Sequence, residues 1–185
     1  IGWEIMAVGS FFAVIFENDR PLVLKSGINY FIQSHIAVLM LTAAFVWVYS
    51  KSGVLTFDGF KVFMTEASSK EIYVMMFLLV GGFGFKAGLV PFHSWLPYAH
   101  PAAPSHVSAL MSGVIVKAGI YGIIRFGSYM SYSQAGVATE IGIAVLAIGL
   151  ISGLYGIVNA AVHRDFKRML AYCTIENVGI IAMGI

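Results

Sequence analysis

Two lysines stand inside apolar runs of this chain, where a charged side chain needs a chemical reason. Lys86 follows the run IYVMMFLLVGGFGF, and Lys117 lies within SALMSGVIVKAGIYGII. On insertion scales, placing an ammonium group at the centre of a bilayer costs about 2.5–3.5 kcal/mol. A buried amine holds its proton less tightly once it loses water, and more tightly beside a carboxylate. The two lysines are therefore candidates for groups that take up and release protons.

Other titratable side chains are further candidates for the same chemistry. Glu4 lies in the first apolar run and Glu176 in the last, while His35 lies where a histidine by default bonds a backbone carbonyl. Three more histidines surround a proline-rich turn: His93, His100 and His106. Their spacings of seven and six residues match no familiar metal-ligand pattern. We expect no metal site, and interpret these histidines as hydrated, titratable groups at the mouth of a channel.

The composition is that of a membrane protein. Of 185 residues, 59% are hydrophobic and 11% are charged, and the mean hydropathy is +0.85. Soluble domains carry roughly 25% charged residues. The net charge is only +2, which indicates no basic surface that would neutralise the phosphates of a nucleic acid, so we expect no nucleic-acid partner. The single cysteine, Cys173, excludes an internal disulfide and a thiolate-held iron–sulfur cluster, so we expect no cofactor in this chain.

The apolar segments predict an all-α, polytopic transmembrane helix bundle with about six spans, since about 20 apolar residues cross a bilayer as a helix. The expected spans are 1–17, 27–50, 71 to about 88, 106–127, 139–162 and 169–185. Residues 18–26 are predicted to form a polar connection, and residues 51–70 an interfacial loop with a short surface helix. The third span should break near residues 85–97, at Gly88, Pro91 and Pro97.

The two ends of the chain both fall inside apolar runs, so we expect residues 1–185 to be an internal fragment of one longer transmembrane domain. The loops at residues 18–26 and 163–168 together carry five lysines and arginines, against four in the loops of the other side. Because basic residues concentrate in cytoplasmic loops, this difference favours an orientation in which the loops at residues 18–26 and 163–168 face the cytoplasm.

The stretch FKAGLVPFHSWLPYAHPAAPSHVSALMSGVIVKAGIYGIIRF strongly resembles the proton-translocating, antiporter-like membrane subunits of respiratory complex I, multisubunit Na+/H+ antiporters and membrane-bound group 4 hydrogenases. WEIMAVGSFF resembles that family's fifth helix, and RDFKRMLAYCTIENVGI its ninth-to-tenth helix connection, so the chain would cover family helices five to ten. Within the family, AHPAAPSHVSALMSGV and YCTIENVGI are most similar to the large antiporter-like subunit of hydrogenase-4 and formate hydrogenlyase complexes.

The resemblance implies roles for individual residues. Glu4 matches the family's glutamate on the fifth helix, Lys86 its partner lysine on the broken seventh helix, and Lys117 the eighth-helix lysine that relays protons along the midplane. One branch of the family has a histidine where Ser112 stands here, which places the relay on Lys117. At about 1.5 Å per helical residue, both lysines should lie at a similar depth, with waters or the hydroxyls of Ser112 or Ser108 helping to bridge them.

The resulting hypothesis is a proton-translocating membrane subunit of a redox-driven oxidoreductase complex of the hydrogenase-4 or formate hydrogenlyase type. Its partners would be the lipid bilayer, other membrane subunits, and peripheral redox subunits of the hydrogenase or NADH dehydrogenase type, which would hold every redox centre. It would reside in the inner or plasma membrane of a prokaryotic cell. Three alternatives stay open: a Na+/H+ antiporter subunit without a redox partner, a complex I NADH:quinone oxidoreductase subunit, and a structural subunit with static lysine pairs.

Overall fold

The computed structural model describes residues 2–17 and 19–185, and every regular element in these two ranges is helical. Ile1 and Asn18, which the sequence places in the first span and the connection after it, lie outside the described residues. The α-helices in chain order are α1 Gly2–Val14, α2 Pro21–Ser52, α3 Asp58–Glu66, α4 Ser69–Ala87, α5 Leu96–Ala102, α6 Ser105–Leu110, α7 Val116–Gly127, α8 Ala135–Val162 and α9 Phe166–Met183. A π-helical segment, Met111–Ile115, joins α6 to α7, and a 3-10 segment, Ser128–Tyr132, follows α7.

Within the described ranges, three helices are long and apolar enough to cross a membrane: Pro21–Ser52, Ser105–Tyr132 and Gly136–Val162. The other three expected spans are also helical but differ in length or charge. α1 has 13 residues, while α4 and α9 have 19 and 18 and each contains three charged side chains. The predicted fold class, an all-α polytopic bundle, is confirmed.

Helices α2, α4, α8 and α9 begin earlier than the sequence predicts, so the polar connections are shorter. α2 begins at Pro21 and not at residue 27, because proline in the first turn of a helix gives up no intrahelical hydrogen bond. α4 begins at Ser69, where Ser68 and Glu71 form a capping box. Between them, α3 is the expected short surface helix, with Phe63 buried and Lys61 exposed.

The expected helix break lies between Ala87 and Leu96. α4 ends because Gly88 adopts the left-handed conformation, with φ 76°, and Pro91 three residues later has no N–H to continue the ladder. The sequence placed Pro97 in the break as well, and this was wrong. Pro97 lies in the first turn of α5, where its missing N–H would have had no intrahelical partner.

Polar contacts satisfy the backbone groups that the break sets free. The indole Nε1 of Trp95 donates to the carbonyl of Phe85 at 2.6 Å. The N–H of Val90 donates to Ser152 Oγ of α8 at 3.0 Å. Irregular backbone persists at membrane depth only where such partners exist, so these contacts hold the break in place.

α4 and α7 pack antiparallel with their backbones in direct contact. A Cβ added at Gly119 of α7 would lie 2.6 Å from the N of Ala87 and 2.7 Å from the O of Phe83, both on α4. Further along α7, a Cβ at Gly122 would meet the Phe83 ring at 2.2 Å. Small residues allow membrane helices to approach this closely, and the contact fixes α7 against the end of α4 that bears Lys86.

We predict that Gly119→Ala lowers the stability of the folded protein by about 1–3 kcal/mol, the usual effect of overpacking, because the atoms it would strike are backbone and cannot rotate away. Thermal unfolding of the purified full-length protein in detergent measures this. Gly142→Ala on α8 is the control, since a Cβ there meets nothing within 4 Å. Equal melting temperatures for the two variants would contradict the close α4–α7 contact.

Candidate functional site

Lys86 lies in the last turn of α4 with only 1% of its surface exposed. Its Nζ donates to the hydroxyl of Tyr30 at 2.8 Å, lies 3.5 Å from Ser34 Oγ, and stands 4.9 Å from the centre of the Tyr30 ring. Both partners lie on α2, four residues apart and therefore on one helix face. In the described part of the chain, no carboxylate forms an ion pair with this amine.

The hydroxyls around Lys86 suit either protonation state of the amine. A hydroxyl oxygen accepts a hydrogen bond from an ammonium, and the same hydroxyl can turn to donate to a neutral amine. A carboxylate would favour the ammonium alone. The pocket formed by Tyr30 and Ser34 therefore leaves Lys86 free to gain and lose a proton without stranding a buried polar group.

Glu4 and His35 form an ion pair in which the hydrogen-bond pattern fixes the number of protons. His35 Nδ1 lies 2.9 Å from the carbonyl of Phe31, and its Nε2 lies 2.7 Å from Glu4 Oε1. A carbonyl only accepts, so Nδ1 carries a hydrogen. The contact between Nε2 and Oε1 then needs one further proton, shared as imidazolium with carboxylate or as imidazole with carboxylic acid.

The direct Glu4–Lys86 pair expected by resemblance is not formed. The two side chains have different partners on α2: Ser34 is directed to Lys86, and the adjacent His35 is directed to Glu4. The side chains of His35 and Glu4 are also 39% and 36% exposed in the described part of the chain, so this pair is not a buried one. His35 is the near partner of the Glu4 carboxylate, and Tyr30 and Ser34 are the near partners of the Lys86 amine.

Lys117 lies near the depth of Lys86, but its side chain does not approach it. Gly119 opposes Ala87 across the antiparallel α4–α7 contact, which leaves the two lysine backbones about 4–5 Å apart in depth at 1.5 Å per residue. The side chain of Lys117 is exposed on the outer face of α7, whereas Lys86 is buried. The role of Lys117 in a relay stays a prediction.

The three turn histidines occupy different environments and form no common cluster. His100 is 3% exposed, and its Nδ1 lies 2.7 Å from Ser108 Oγ. His93 is half-buried, with its ring edge-on to Tyr155 at a centroid distance of 4.6 Å. His106 is exposed. Of the three, His100 is the one built into the interior.

The remaining candidates are Ser112, which contacts α9, and Glu176, which lies on it. Ser112 Oγ lies 3.1 Å from Thr174 Oγ1 and links the π-helical segment to α9. Glu176 is half-buried, and its backbone packs against Gly156 of α8. Neither side chain contacts Lys86 or Glu4 among the bonds described, so their part in a proton pathway also stays a prediction.

Sequence reasoning missed the polar side of α2. Besides Tyr30 and Ser34, this side includes Gln33, whose Nε2 donates to Asn29 Oδ1 at 3.0 Å and to Ser94 Oγ at 2.7 Å. These side chains are uncharged and common in membrane helices, so each alone gives no signal. Their spacing of three and four residues along one apolar helix was the signal that could have revealed them.

We predict that Tyr30→Phe destabilises the protein by about 1–3 kcal/mol, because it strips the buried Lys86 amine of its nearest partner. Combining it with Lys86→Met should cost less than the sum of the two single changes, since removing both partners leaves nothing unpaired. A double-mutant cycle of thermal unfolding measures the coupling. Ser152→Ala with Lys86→Met is the control pair, as Ser152 contacts the backbone of Val90 instead. Additive effects for Tyr30 and Lys86 would show that the hydroxyl does not hold the amine.

Comparisons with known proteins agree with this architecture. The family described as "NADH:quinone oxidoreductase/Mrp antiporter, TM" matches residues 1–185. Hydrogenase-4 component B of Escherichia coli (strain K12) is 42% identical over 184 residues, which cover 99% of this chain and 27% of that protein. NADH-quinone oxidoreductase subunit N of Deinococcus radiodurans is 29% identical over 188 residues, which cover 99% of this chain and 37% of that protein.

A solved structure shares the fold. A chain of the membrane-bound sulfane sulfur reductase, an archaeal respiratory membrane complex, superposes with a TM-score of 0.89 over 98% of this chain and 37% of its own length, at 22% identity. This chain thus spans between 27% and 37% of the length of these proteins. Because the family match extends over every residue, the chain belongs to the NADH:quinone oxidoreductase/Mrp antiporter transmembrane family and is an integral membrane protein.

Proposed function

We propose that this chain is the part of a proton-translocating membrane subunit that loads and controls one buried proton carrier, Lys86. The observation on which the proposal rests is the amine itself, 1% exposed beside a helix break and held by hydroxyls that suit both of its protonation states. A static structural lysine would be expected to have a carboxylate partner, because burying an unpaired charge is costly. Family membership and the relatives' names support a respiratory setting.

The Glu4–His35 pair is the control element in this proposal. While the pair holds its one shared proton it has no net charge. Loss of that proton leaves a negative charge near Lys86 and favours the ammonium, whereas gain of a second proton leaves a positive charge and favours the neutral amine. Since Ser34 and His35 are adjacent on α2, a small movement of this helix changes both contacts together.

Proton transfer beyond Lys86 is assigned to Lys117 and to parts of the longer protein. Lys117 lies at a similar depth and faces outward. Another part of the longer protein would pack against this face. Protons would reach Lys86 from the hydrated side of the broken helix, leave it when the pair changes charge, and pass on along the membrane plane. Two ammonium groups repel, so water or hydroxyls must stand between the lysines.

The complex we favour is a redox-driven oxidoreductase of the hydrogenase-4 or formate hydrogenlyase type, in a prokaryotic inner membrane. The 42% identity to hydrogenase-4 component B supports this choice. Other membrane subunits and peripheral redox subunits would be its partners, and the redox centres would belong to those subunits. A complex I subunit is the second candidate, favoured by the 29% identity to subunit N. Purification of the complex from its own membranes distinguishes them by whether a hydrogenase or an NADH-oxidising subunit is retained.

We predict that Lys86→Ala abolishes proton translocation because the variant removes the carrier; since Lys86 is among the largest fully buried side chains, purification of the variant complex checks that it still assembles. Lys86→Arg should fail as well, since a guanidinium does not release its proton. Membrane vesicles that contain the full complex and a pH-sensitive dye measure the initial rate of proton uptake. Lys70→Ala is the control, because Lys70 is exposed at the opposite end of α4. Normal uptake by either Lys86 variant would refute the carrier role.

We predict that Glu4→Gln slows translocation by about a hundredfold, at the low end of what proton-transferring groups contribute, because glutamine cannot share a proton with His35. Glu4→Asp should recover part of the rate, since the charge returns with a shorter reach. Uptake measured in the same vesicles from about pH 5 to 8 covers the range in which a histidine side chain ordinarily changes charge. Glu17→Gln, at an exposed position beyond α1, is the matched control. If Glu4→Gln and wild type behave alike at every pH, the pair does not control Lys86.

A further inference from the structure

A groove of about 330 Å³ lies between α5 and the first turns of α2, and its lining residues are Leu22, Lys25, Ser26, Asn29 and Tyr98. At about 30 Å³ per water molecule, the space has room for a phosphate group and part of its hydration shell. Lys25 and Ser34 are nine residues apart, so they point in opposite directions from a helix with 3.6 residues per turn. The groove is therefore on the side of α2 that faces away from Lys86.

The polar side chains of this groove are hydrogen-bond donors that lack acceptors. Gln33 Nε2 donates to Asn29 Oδ1 at 3.0 Å, which leaves the amide nitrogen of Asn29 as an unused donor. The ammonium of Lys25 and the hydroxyl of Tyr98 also have no hydrogen-bond partner among residues 2–17 and 19–185. With three such donors and no carboxylate in its lining, the groove suits an anion.

Arg168 of α9 brings a second positive charge to the same place. Its Cζ atom lies 5.3 Å from the centre of the Tyr98 ring, and Tyr98 is 53% exposed. Neither ion pair in the described part of the chain includes Arg168 or Lys25. The nearby carboxylate of Asp165 is already engaged, since its Oδ1 accepts the backbone N–H of Arg168 at 2.8 Å. Two charges without a carboxylate partner therefore lie next to one exposed tyrosine.

This end of the bundle is also the more positive of the two. Its connections and adjoining turns contain five basic and three acidic side chains: Arg20, Lys25, Arg164, Lys167 and Arg168, with Glu17, Asp19 and Asp165. The opposite end contains four of each: Lys51, Lys61, Lys70 and Arg125, with Asp58, Glu66, Glu71 and Glu140. Anionic lipids are enriched in the cytoplasmic leaflet, and the sequence predicts that the more positive end faces the cytoplasm.

α2 continues from the groove toward the membrane centre as an apolar strip, formed by Ile32 and Ile36. These two residues are 54% and 40% exposed, and they follow Lys25 by seven and eleven residues, which places all three on one helix face. At about 1.5 Å per residue, Ile36 lies about 16 Å from Lys25, or roughly half of the hydrocarbon thickness of a bilayer. A ligand that covers the groove and the apolar strip needs an anionic group joined to a hydrocarbon chain that spans one leaflet.

We propose that the groove binds the headgroup of an anionic phospholipid, with one acyl chain lying along the apolar strip. The Lys25 ammonium, the Asn29 amide and the Tyr98 hydroxyl donate to the phosphate, and Arg168 adds to the attraction. Basic pockets between transmembrane helices are known to bind anionic headgroups. A soluble phosphate ion would leave the apolar strip uncovered, and an acidic protein surface has no hydrocarbon chain to place there. The inference goes beyond the proposed function, because it does not require Lys86 to carry protons.

Photolabelling of the full complex tests the site. The complex is reconstituted in phosphatidylcholine vesicles that contain a small fraction of a probe lipid, either phosphatidylglycerol or phosphatidylcholine, with a diazirine in one acyl chain. Mass spectrometry of the peptides locates the label. We expect the phosphatidylglycerol probe to label the segment that contains Ile32 and Ile36, and the phosphatidylcholine probe to label it much less. Equal labelling would show an unselective lipid surface, and an unlabelled segment would show that other protein covers it. Either result would overturn the proposal.

Charge variants of the complex test the two basic residues. One basic residue near an anionic headgroup corresponds to about fivefold in affinity, so Lys25→Gln with Arg168→Gln should lower phosphatidylglycerol labelling about 25-fold at a subsaturating amount of probe. Lys61→Gln with Lys70→Gln, both exposed at the opposite end, is the matched control and should label as the wild type does. Lys25→Arg with Arg168→Lys keeps both charges and should keep most of the labelling. If this charge-keeping pair loses it too, shape and not charge holds the lipid, and the proposal is wrong.

Two further measurements identify other occupants. Excess inorganic phosphate should not reduce the labelling, because it has no acyl chain. If it competes as strongly as unlabelled phosphatidylglycerol, the groove is a site for soluble phosphate. If Lys25→Gln with Arg168→Gln releases a peripheral subunit and leaves the labelling unchanged, the groove faces an acidic protein surface. Each of these results refutes the lipid site. Labelling is measured without proton uptake, so failure of the proposed function leaves this test intact.

Discussion

An amine at membrane depth must have hydrogen-bond partners, and the way in which Lys86 obtains them governs the arrangement around it. α2 supplies two hydroxyls, Tyr30 and Ser34, and α4 must end where the amine can reach them. Trp95 serves both needs. Its ring lies 5.0 Å from that of Tyr30, and its Nε1 bonds the carbonyl of Phe85 that the helix break sets free. The break and the amine pocket are therefore one structure.

The two charged groups that the family resemblance pairs directly each have their own partner on α2. Adjacent residues of a helix point about 100° apart, so Ser34 and His35 face different neighbours and each serves one of them. This arrangement gives Lys86 partners without fixing its charge, and gives Glu4 a partner with which it shares a proton. Two titratable groups, the Lys86 amine and the Glu4–His35 pair, thus lie beside one helix with no contact described between them.

The sequence predicted those features that depend on composition and on backbone chemistry. Long apolar runs predicted the helical bundle, and Gly88 with Pro91 predicted the break, because the first adopts left-handed backbone and the second lacks an N–H. The sequence wrongly placed Pro21 in a connection and Pro97 in the helix break, whereas both lie in the first turn of a helix. Proline is common both at the start of helices and after their ends, so its presence alone does not decide between the two. The sequence also could not find Tyr30 and Ser34, because only the packing of α2 against α4 makes these ordinary residues the partners of Lys86.

The glycine contact between α4 and α7 has a mechanical consequence. Backbone rests on backbone at Gly119, with no side chain in between to compress or rotate. The two helices therefore form a close pair, and their backbone contact sets the difference in depth between Lys86 and Lys117. If Lys86 is the proton carrier that we propose, conformational changes that alter its proton affinity would arise outside this pair, in α5 beyond the break or in α1 and α2.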